Sequence, residues 1–276
     1  MLVTMKDILI KSREGKYGVV APNVSNEDTA RAAIEAAEEN RAPIVLDILY
    51  KVNPDIPFFA HICIEMAHHA SVPVAINLDH GGTFEQAIIA IRAGFSSIMV
   101  DRSSLAFEDN IAEVKKLVDI AHAVGVTVEA ELGHVGSGAN YAQDGVTGFT
   151  DPAQAAEYVE RTGVDALAIA MGTAHGKYVG EPKLHFDILK ACYEAVDVPL
   201  VLHGGSGSGD QNLARATREG ITKVNIGTDL YQAGIDALVA NADKLQRANN
   251  AYDVFREAYK QKLVYYIKLF RQDNQA

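Results

Sequence analysis

The chain has 276 residues, a length within the range of a single large domain, and 48% of them are hydrophobic, enough for a sizeable core. Its 25 basic and 36 acidic side chains give a formal net charge of −11, which argues against nucleic acid or an anionic membrane as the main partner. A phosphorylated small molecule stays open as a partner, because a few local groups suffice to hold it.

The cysteines and the N-terminal sequence point to a reducing compartment. Cys63 and Cys192 lie far apart without a CxxC motif, so we interpret them as unpaired thiols that serve packing. Charged residues interrupt the apolar positions of residues 1–18, and no apolar run is long enough to span a bilayer. These features predict a cytoplasmic protein with neither nucleic acid nor a membrane as its partner.

Short apolar, β-branched runs alternate with longer amphipathic stretches along the whole chain. We find eight such runs, at residues 17–23, 43–49, 73–79, 97–101, 126–132, 166–171, 199–205 and 223–228. Their near-continuous hydrophobicity is typical of strands buried on both faces of a parallel sheet. Helix-like segments lie between them, and the one at residues 151–163 begins with a capping Asp followed by Pro and ends at Gly.

Eight evenly spaced β-α units predict an α/β fold, a (β/α)8 barrel of the TIM type formed by residues 1–276 as a single domain. A doubly wound sheet is the alternative, but the even spacing favours closure. A helical tail at about residues 250–271 follows the eighth strand, and we expect it to form an extra C-terminal helix. Its apolar stripe would serve a partner chain or, more commonly, pack on its own barrel.

Polar side chains follow several of the predicted strands, at the edge where barrel enzymes build their active sites. The third strand ends in Asp79 and His80, and His175 and His203 follow the sixth and seventh strands. Three histidines on one rim predict a zinc or other transition-metal site with one position open for substrate. We interpret the remaining histidines as solvent-facing or packing residues, namely His61, His68, His69, His122, His134 and His185.

Asp79 has two interpretations. It would cap a helix that starts near Thr83, because Asp is a favoured N-cap residue, or it would act in the site beside His80. Neighbouring residues of a strand point to opposite faces, so both side chains reach one site only where the strand ends. Gly81 and Gly82 supply such a turn.

Glycine and hydroxyl residues follow the seventh and eighth strands, where barrel enzymes often bind phosphate. The glycines of residues 204–207 let backbone N–H groups approach an anion, and Ser206 and Thr228 add hydroxyl donors. An ordinary tight turn is the alternative, but the location on two adjacent strands favours phosphate binding.

Several long segments resemble the class II, metal-dependent fructose-bisphosphate and tagatose-bisphosphate aldolases. They are LDHG (78–81), VEAELG (128–133), residues 151–184, PLVLHGGSG (199–207) and KVNIGTDL (223–230), and the similarity extends from residue 19 to residue 270. The resemblance implies a TIM-barrel lyase, a homodimer or homotetramer, that reversibly cleaves a ketose (bis)phosphate to dihydroxyacetone phosphate and an aldehyde. It also implies one catalytic zinc ion per chain and a monovalent cation near the phosphate.

The resemblance assigns roles by position. It implies that His80, His175 and His203 are the zinc ligands and that Glu131 holds the metal in a withdrawn position. It implies that Asp79 exchanges a proton with the aldehyde-derived oxygen at C4. The residues that match substrate-binding positions are Asn23, Gly176, Gly204, Ser206, Asn225, Gly227 and Thr228.

Three departures from the family's pattern favour an acceptor other than glyceraldehyde 3-phosphate. The loop after the fifth strand has Ser-Gly-Ala-Asn at residues 137–140 in place of the acidic residue expected to deprotonate the donor, and Asp144 lies further along. The second strand ends in bulky and acidic residues, including Asp47 and Leu49, rather than small polar ones. Arg102 replaces a glycine and either binds a second phosphate or carboxylate or is solvated or salt-bridged.

Two other functions stay open. One is a metal-dependent sugar-phosphate isomerase or epimerase, which would use the same chemistry without carbon–carbon cleavage. The other is a non-catalytic sugar-phosphate-binding paralogue. The missing loop acid favours the binding protein, whereas the intact Asp79, the three histidines and the phosphate-site glycines oppose it.

Overall fold

Eight parallel strands form the centre of the molecule, in a computed structural model that describes residues 1–53, 55–138 and 148–276. They are β1 (Val19–Pro22), β2 (Ile44–Leu49), β3 (Val74–Gly81), β4 (Ser97–Val100), β5 (Thr127–Leu132), β7 (Ala166–Ile169), β9 (Leu200–Leu202) and β10 (Ile221–Ile226). Two short strands, β6 (Gly136–Ser137) and β8 (Ala174–His175), pair with each other beside the sheet.

The sheet is a nearly closed barrel. Its strand order is β1-β10-β9-β7-β5-β4-β3-β2, which follows the chain around the circle. Its two ends meet where Asn23 and Asp47 form a parallel bridge, and the Val24 N–H donates to the Asp47 carbonyl oxygen at 2.9 Å. The predicted (β/α)8 barrel is confirmed, and every predicted apolar run contributes one strand. The carboxyl ends of all eight strands therefore open on the same rim.

Helices alternate with the strands and cover the barrel. In chain order they are α1 (Met5–Gly15), α2 (Glu27–Glu39), α3 (Ile56–His69), α4 (Phe84–Ala93), α5 (Phe107–His122), α6 (Pro152–Thr162), α7 (Phe186–Ala195), α8 (Asp210–Glu219), α9 (Thr228–Ala240) and α10 (Ala248–Leu269). Both ends of α6 are capped as predicted, because Asp151 accepts the Ala153 N–H at the start of the helix and Gly163, with φ +73°, ends it. Within the described residues, no helix is both long and apolar enough to cross a bilayer.

Two helices outside the β-α repeat complete the core. The apolar face of α1, with Met5, Ile8 and Leu9, packs against the inward-facing residues of the strands and fills the amino-terminal end of the barrel. The extra C-terminal helix α10 agrees with the predicted tail. Its apolar stripe is buried on the chain's own barrel, and the Tyr259 hydroxyl donates to the Asn23 carbonyl oxygen at 2.8 Å. α10 thus supports the loop that follows β1.

Candidate active site

The end of β3 directs two consecutive side chains into one cavity. Between Leu78 and Gly81 the pairing of β3 with β4 slips by one residue, and His80 adopts φ +49°, in the left-handed region that non-glycine residues rarely occupy. A β-bulge re-aims side chains, which explains why Asp79 and His80 both face the rim. Thr83 caps the following helix through the Gln86 N–H, so Asp79 is not the cap.

The bulge depends on a glycine. A Cβ at Gly81 would lie 2.6 Å from the Met99 carbonyl oxygen of the neighbouring strand, a distance at which the backbone must shift. At Gly82 the nearest heavy atom would be 3.7 Å away. The two adjacent glycines therefore differ in how much a methyl group would disturb the strand end.

The three predicted histidines converge above the barrel. His80 Nε2 lies 3.1 Å from His175 Nε2 and 3.0 Å from His203 Nδ1. The opposite ring nitrogens of two of them contact carboxylates: His80 Nδ1 lies 2.8 Å from Asp101 Oδ2, and His203 Nε2 lies 2.7 Å from Glu129 Oε1. A carboxylate at one ring nitrogen holds the proton there and leaves a lone pair on the other.

This donor set fits a bound cation. When His80 is neutral, the tautomers that the carboxylates select turn the lone pairs of His80 Nε2 and His203 Nδ1 toward each other at 3.0 Å, an arrangement that a cation between them would stabilise. Nitrogen ligands around tetrahedral zinc lie about 3.3 Å apart for zinc–nitrogen bonds of about 2.0–2.1 Å. The three ligand atoms lie within 4.8 Å of one another. The site therefore has the spacing and donor chemistry of a transition-metal centre.

The charges around the three rings are unequal. Burial would lower the pKa of His80, but Asp79, Asp101 and Glu131 raise it to about 9. Burial, together with the charges of the two other histidines, lowers the pKa of His175 to about 4. In the absence of metal, the His80 ring is therefore protonated and positively charged, whereas the His175 ring is neutral.

A second donor group adjoins the first. His80, Asp101 and Glu131 also bring ligand atoms within 4.8 Å of one another. Glu131 is buried, with Oε1 accepting the Val135 N–H at 2.9 Å and Oε2 without a partner among the described residues. Burial and the Asp101 charge raise the pKa of Glu131 to about 8. Sequence reasoning did not single out Asp101, although it directly follows β4 at the rim.

Asp79 is held by two amides beside the histidines. Its Oδ2 accepts from Asn23 Nδ2 at 2.7 Å, and its Oδ1 accepts from Asn225 Nδ2 at 3.1 Å. Burial alone would raise the pKa of Asp79, but the charges of His80, His203 and Lys223 lower it below the ordinary value. The carboxylate is therefore ionised and oriented in the cavity.

The loops after β9 and β10 form the other side of the cavity. Ser206 Oγ accepts the backbone N–H groups of Gly227 and Asp229, both at 3.2 Å, and so ties the β9 loop to the start of α9. Gly204 has φ +66°, and a Cβ there would lie 2.4 Å from the Ala174 carbonyl oxygen. Loop N–H groups and the first turn of a helix attract anions, so this side suits a phosphate.

One cavity of about 180 Å³ collects the predicted site residues. Every predicted site residue except Glu131 lines this cavity, and Leu49 lines it in addition. The predicted residues that line it are Asn23, Asp79, His80, His175, Gly176, His203, Gly204, Ser206, Asn225, Gly227 and Thr228. Sequence reasoning placed Leu49 at the rim as a departure from the family pattern, and the structure puts its side chain against the cavity.

A layer of buried charge lies beneath the cavity. Lys223 is fully buried, and its Nζ lies 3.0 Å from Glu129 Oε2 and 3.1 Å from Asp47 Oδ2. Through Glu129 this layer contacts His203. Asp47 also accepts from Asn77 Nδ2 at 2.8 Å. Asp47 is therefore part of the barrel interior and does not line the cavity, contrary to its expected influence on the rim.

The other departures have different outcomes. Arg102 is buried and pairs with Glu113, while its Nη1 donates to the carbonyl oxygens of Gly81 and Asp101. It braces the ends of β3 and β4 and, of its two expected roles, takes the salt-bridged one. The replaced loop acid corresponds to a segment of which residues 139–147, including Asp144, lie outside the described residues.

Comparisons with known proteins agree over the whole chain. A family model for fructose-bisphosphate aldolase class-II matches residues 3–275. The uncharacterized protein YdjI of Escherichia coli K12 is 41% identical over 268 residues, 94% of each chain, and the fructose-bisphosphate aldolase of Staphylococcus aureus N315 is 39% identical over 287 residues, 100% of this chain and 99% of that one.

Solved structures give the same relation. The crystal structure of the YdjI aldolase from Escherichia coli K12 superposes with a TM-score of 0.90 at 38% identity, covering 99% of this chain and 98% of that chain. The barrel and the whole-chain match agree with the resemblance seen in the sequence motifs. The chain therefore belongs to the class II fructose-bisphosphate aldolase family, whose members are carbon–carbon lyases that act on phosphorylated sugars and are generally metal-dependent.

Proposed function

We propose that the protein is a zinc-dependent aldolase that reversibly cleaves a ketose (bis)phosphate to dihydroxyacetone phosphate and an aldehyde. The observation that carries this proposal is the convergence of three imidazoles beside the ionised Asp79, in a cavity whose far side suits a phosphate. Each part alone is common in barrels. Together they offer a metal site, a proton-transfer group and an anion site in one cavity.

Zinc is the metal that the donor set favours. His80, His175 and His203 offer three nitrogen ligands, and imidazole suits zinc, whereas magnesium and calcium prefer oxygen. Three protein ligands leave a coordination position for substrate, as in catalytic zinc sites. When bound, the ion supplies a positive charge that stabilises the negative charge developing on the substrate's oxygens. Glu131, whose buried Oε2 has no partner among the described residues, would hold the ion in the withdrawn position.

Asp79 transfers the proton of the hydroxyl group on C4. Its lowered pKa keeps the carboxylate ionised, so it can accept the proton of the C4 hydroxyl in the cleavage direction as the carbon–carbon bond breaks. In the condensation direction the same carboxyl returns that proton to the aldehyde-derived oxygen. Asn23 and Asn225 orient both of its oxygens for this transfer.

The phosphate of the donor binds at the loops after β9 and β10. Backbone N–H groups and the first turn of α9 hold it, with Ser206 and Thr228 as hydroxyl partners and a monovalent cation beside it. Gly176 leaves room for the substrate at the histidine side, because a Cβ there would meet no atom within 4 Å, and Gly204 lines the same cavity. We further propose a cytoplasmic homodimer or homotetramer.

Metal removal and return test the proposal. Zinc-loaded, chelator-treated and zinc-restored protein are incubated with 1-phosphorylated and bisphosphorylated ketohexoses, and released dihydroxyacetone phosphate is measured with a dehydrogenase. We expect zinc-dependent release from at least one ketose. Metal bound without any product would indicate a binding paralogue, and a new ketose isomer without dihydroxyacetone phosphate would indicate an isomerase or epimerase.

The variant Asp79→Ala separates proton transfer from metal binding. Loss of a general acid–base group costs about 10²- to 10⁴-fold in rate, so turnover should fall by that factor while the zinc content stays at the wild-type level. Loss of zinc from Asp79→Ala would show that Asp79 is a structural part of the metal site instead.

A further inference from the structure

A second cavity adjoins the candidate active site. It has a volume of about 580 Å³ and shares Asn23, Leu49, Gly227 and Thr228 with the 180 Å³ cavity at the histidines. Four common residues make the two cavities neighbours, and Leu49 is one of the residues that lie between them. We call them the inner and the outer cavity.

The inner cavity is small for a complete ketose phosphate. Small-molecule sites commonly measure about 300–1,000 Å³, and the inner cavity at about 180 Å³ is smaller than this range. The inner cavity contains the histidines and the phosphate-binding loops, so the dihydroxyacetone phosphate half belongs there. The aldehyde that leaves begins at C4, and its carbons beyond C4 extend past Leu49 into the outer cavity.

The outer cavity has no charged wall. Its remaining lining residues are apolar or neutral, namely Val24, Ser25, Val52, Tyr231, Gln232 and Ile235. Among the described residues, neither cavity is lined by a lysine or an arginine, and position 54 and residues 139–147 contain none in the sequence. Lys51 and Lys177 are exposed and line neither cavity, and Arg102 pairs with Glu113.

A second phosphate would therefore enter the outer cavity without a cationic partner among the described residues of this chain. The outer cavity faces solvent, so a phosphate there would keep part of its hydration but would gain no ionic contact, and the chain's net charge of −11 adds to the repulsion. Leu49 and the apolar residues beside it instead favour a chain without charge. The donor phosphate does not face this cost, because loop N–H groups and a helix start hold it.

Building on the proposed function, we propose that the outer cavity receives the aldehyde half of the substrate and that this half is uncharged, without a terminal phosphate. The substrates are then ketose 1-phosphates rather than bisphosphates. The reaction is an aldol condensation without net redox change. The carbon of dihydroxyacetone phosphate that loses a proton forms the bond to the aldehyde carbon, and the aldehyde oxygen takes up a proton.

A matched pair of aldehydes tests the inference. Zinc-loaded protein is given dihydroxyacetone phosphate with racemic glyceraldehyde or with racemic glyceraldehyde 3-phosphate, which differ by the phosphate alone. We expect kcat/KM for glyceraldehyde to exceed that for its phosphate by at least about tenfold, since an unpaired charged group loses roughly that much. A preference for the phosphorylated aldehyde would overturn the inference.

A pair of lysine substitutions tests whether the missing charge is the cause. Leu49→Lys adds a cation to the wall between the two cavities and should shift the ratio toward the phosphorylated aldehyde by about tenfold. Val124→Lys makes the same charge change at an exposed site before β5, at the opposite end of the barrel, and should leave the ratio within about twofold. Equal shifts in both variants would refute the role of the outer cavity.

The outcomes separate this inference from the proposed function. Condensation with both aldehydes and a preference for the phosphorylated one would overturn the inference alone. No condensation with any aldehyde, together with no proton exchange on dihydroxyacetone phosphate, would overturn the proposed function. If Leu49→Lys fails to fold, the wild-type ratio still decides the inference.

Discussion

Replacement of Lys223 by methionine should destabilise the protein by about 3–5 kcal/mol, the usual cost of removing one partner from a buried ion pair. Lys223 is fully buried inside the barrel, where its Nζ contacts Glu129 at 3.0 Å and Asp47 at 3.1 Å. Methionine has a similar length and is apolar, so the substitution removes the charge with little change in packing. Two buried carboxylates then lose the cation between them.

The size of the effect follows from distance and protonation. At an effective dielectric constant of about 20, two unit charges about 3 Å apart interact by roughly 5 kcal/mol. Burial raises the pKa of Asp47 to about 7 although the charge of Lys223 opposes this shift, so Asp47 is partly protonated near neutral pH. Without Lys223 it takes up the proton fully, which limits the loss at this pair. The loss at Glu129, whose pKa is lowered because Lys223 and His203 outweigh its burial, accounts for most of the effect.

A surface lysine provides the matched control. Lys260 also pairs with two carboxylates, Glu39 at 2.9 Å and Glu257 at 3.3 Å, but both partners are more than half exposed. Exposed pairs of this kind contribute about 0–1 kcal/mol. Lys260→Met should therefore cost at most about 1 kcal/mol.

Equilibrium unfolding in urea measures both variants. The metal is first removed with a chelator, and the protein concentration is held fixed, so that neither metal binding nor association contributes to the difference. We expect Lys223→Met to lose at least about 2 kcal/mol more than Lys260→Met. Equal losses in the two variants would refute the interpretation that Lys223 neutralises the barrel interior.

Three further predictions concern the same region. Glu129→Gln removes the charge that orients His203, so zinc affinity in a chelator competition should fall about 10- to 100-fold; an unchanged affinity would contradict this role. Gly81→Ala should lower both zinc affinity and activity, because its methyl group displaces the strand end, whereas Gly82→Ala should leave both near the wild-type level; similar behaviour of the two would refute the bulge argument. Folding raises the pKa of Asp47 from 3.8 to about 7, so the folded state holds this proton more tightly than the unfolded state. The group's contribution to stability therefore falls as the pH rises between these values, and Asp47→Asn should flatten the metal-free stability profile there; an unflattened profile would contradict the assignment.

Much of the fold was predictable because each barrel strand is buried on both faces. The sequences of such strands are continuous apolar runs, and their regular spacing leaves few alternatives to a closed barrel. Strand ends were less predictable. β3 continues to Gly81, two residues beyond the predicted run, because the backbone bulges at His80. Nothing in the local sequence distinguishes a bulged strand end from a simple turn before two glycines.

The depth of a side chain in the barrel was the other unpredictable quantity. Asp47 and Leu49 lie on the same face of β2, yet Asp47 contacts Lys223 in the interior and Leu49 borders the substrate cavity. Alternation along a strand gives the face but not the height, which depends on strand tilt around the barrel. Asp101 was missed for a related reason, since only the approach of β4 to β3 brings it to His80.

The convergence of His80, His175 and His203 was predictable from one rule, that barrel strands bring their carboxyl ends to one rim. The rule does not predict which residues hold these histidine rings in place. The carboxylates of Asp101 and Glu129 select the tautomers of His80 and His203, and each carboxylate is distant in sequence from its histidine, by 21 residues for Asp101 and by 74 for Glu129. Such contacts depend on the three-dimensional packing of the barrel rather than on a local motif.

Exchange of a carbon-bound proton of dihydroxyacetone phosphate with heavy water, followed by NMR, tests the central claim most directly because it requires no knowledge of the aldehyde. With zinc-loaded protein we predict exchange that a chelator abolishes and that added zinc restores. Such exchange requires the donor site, the metal and a working base together. Absence of exchange in zinc-loaded, folded protein would contradict the assignment of this site as that of a zinc-dependent aldolase.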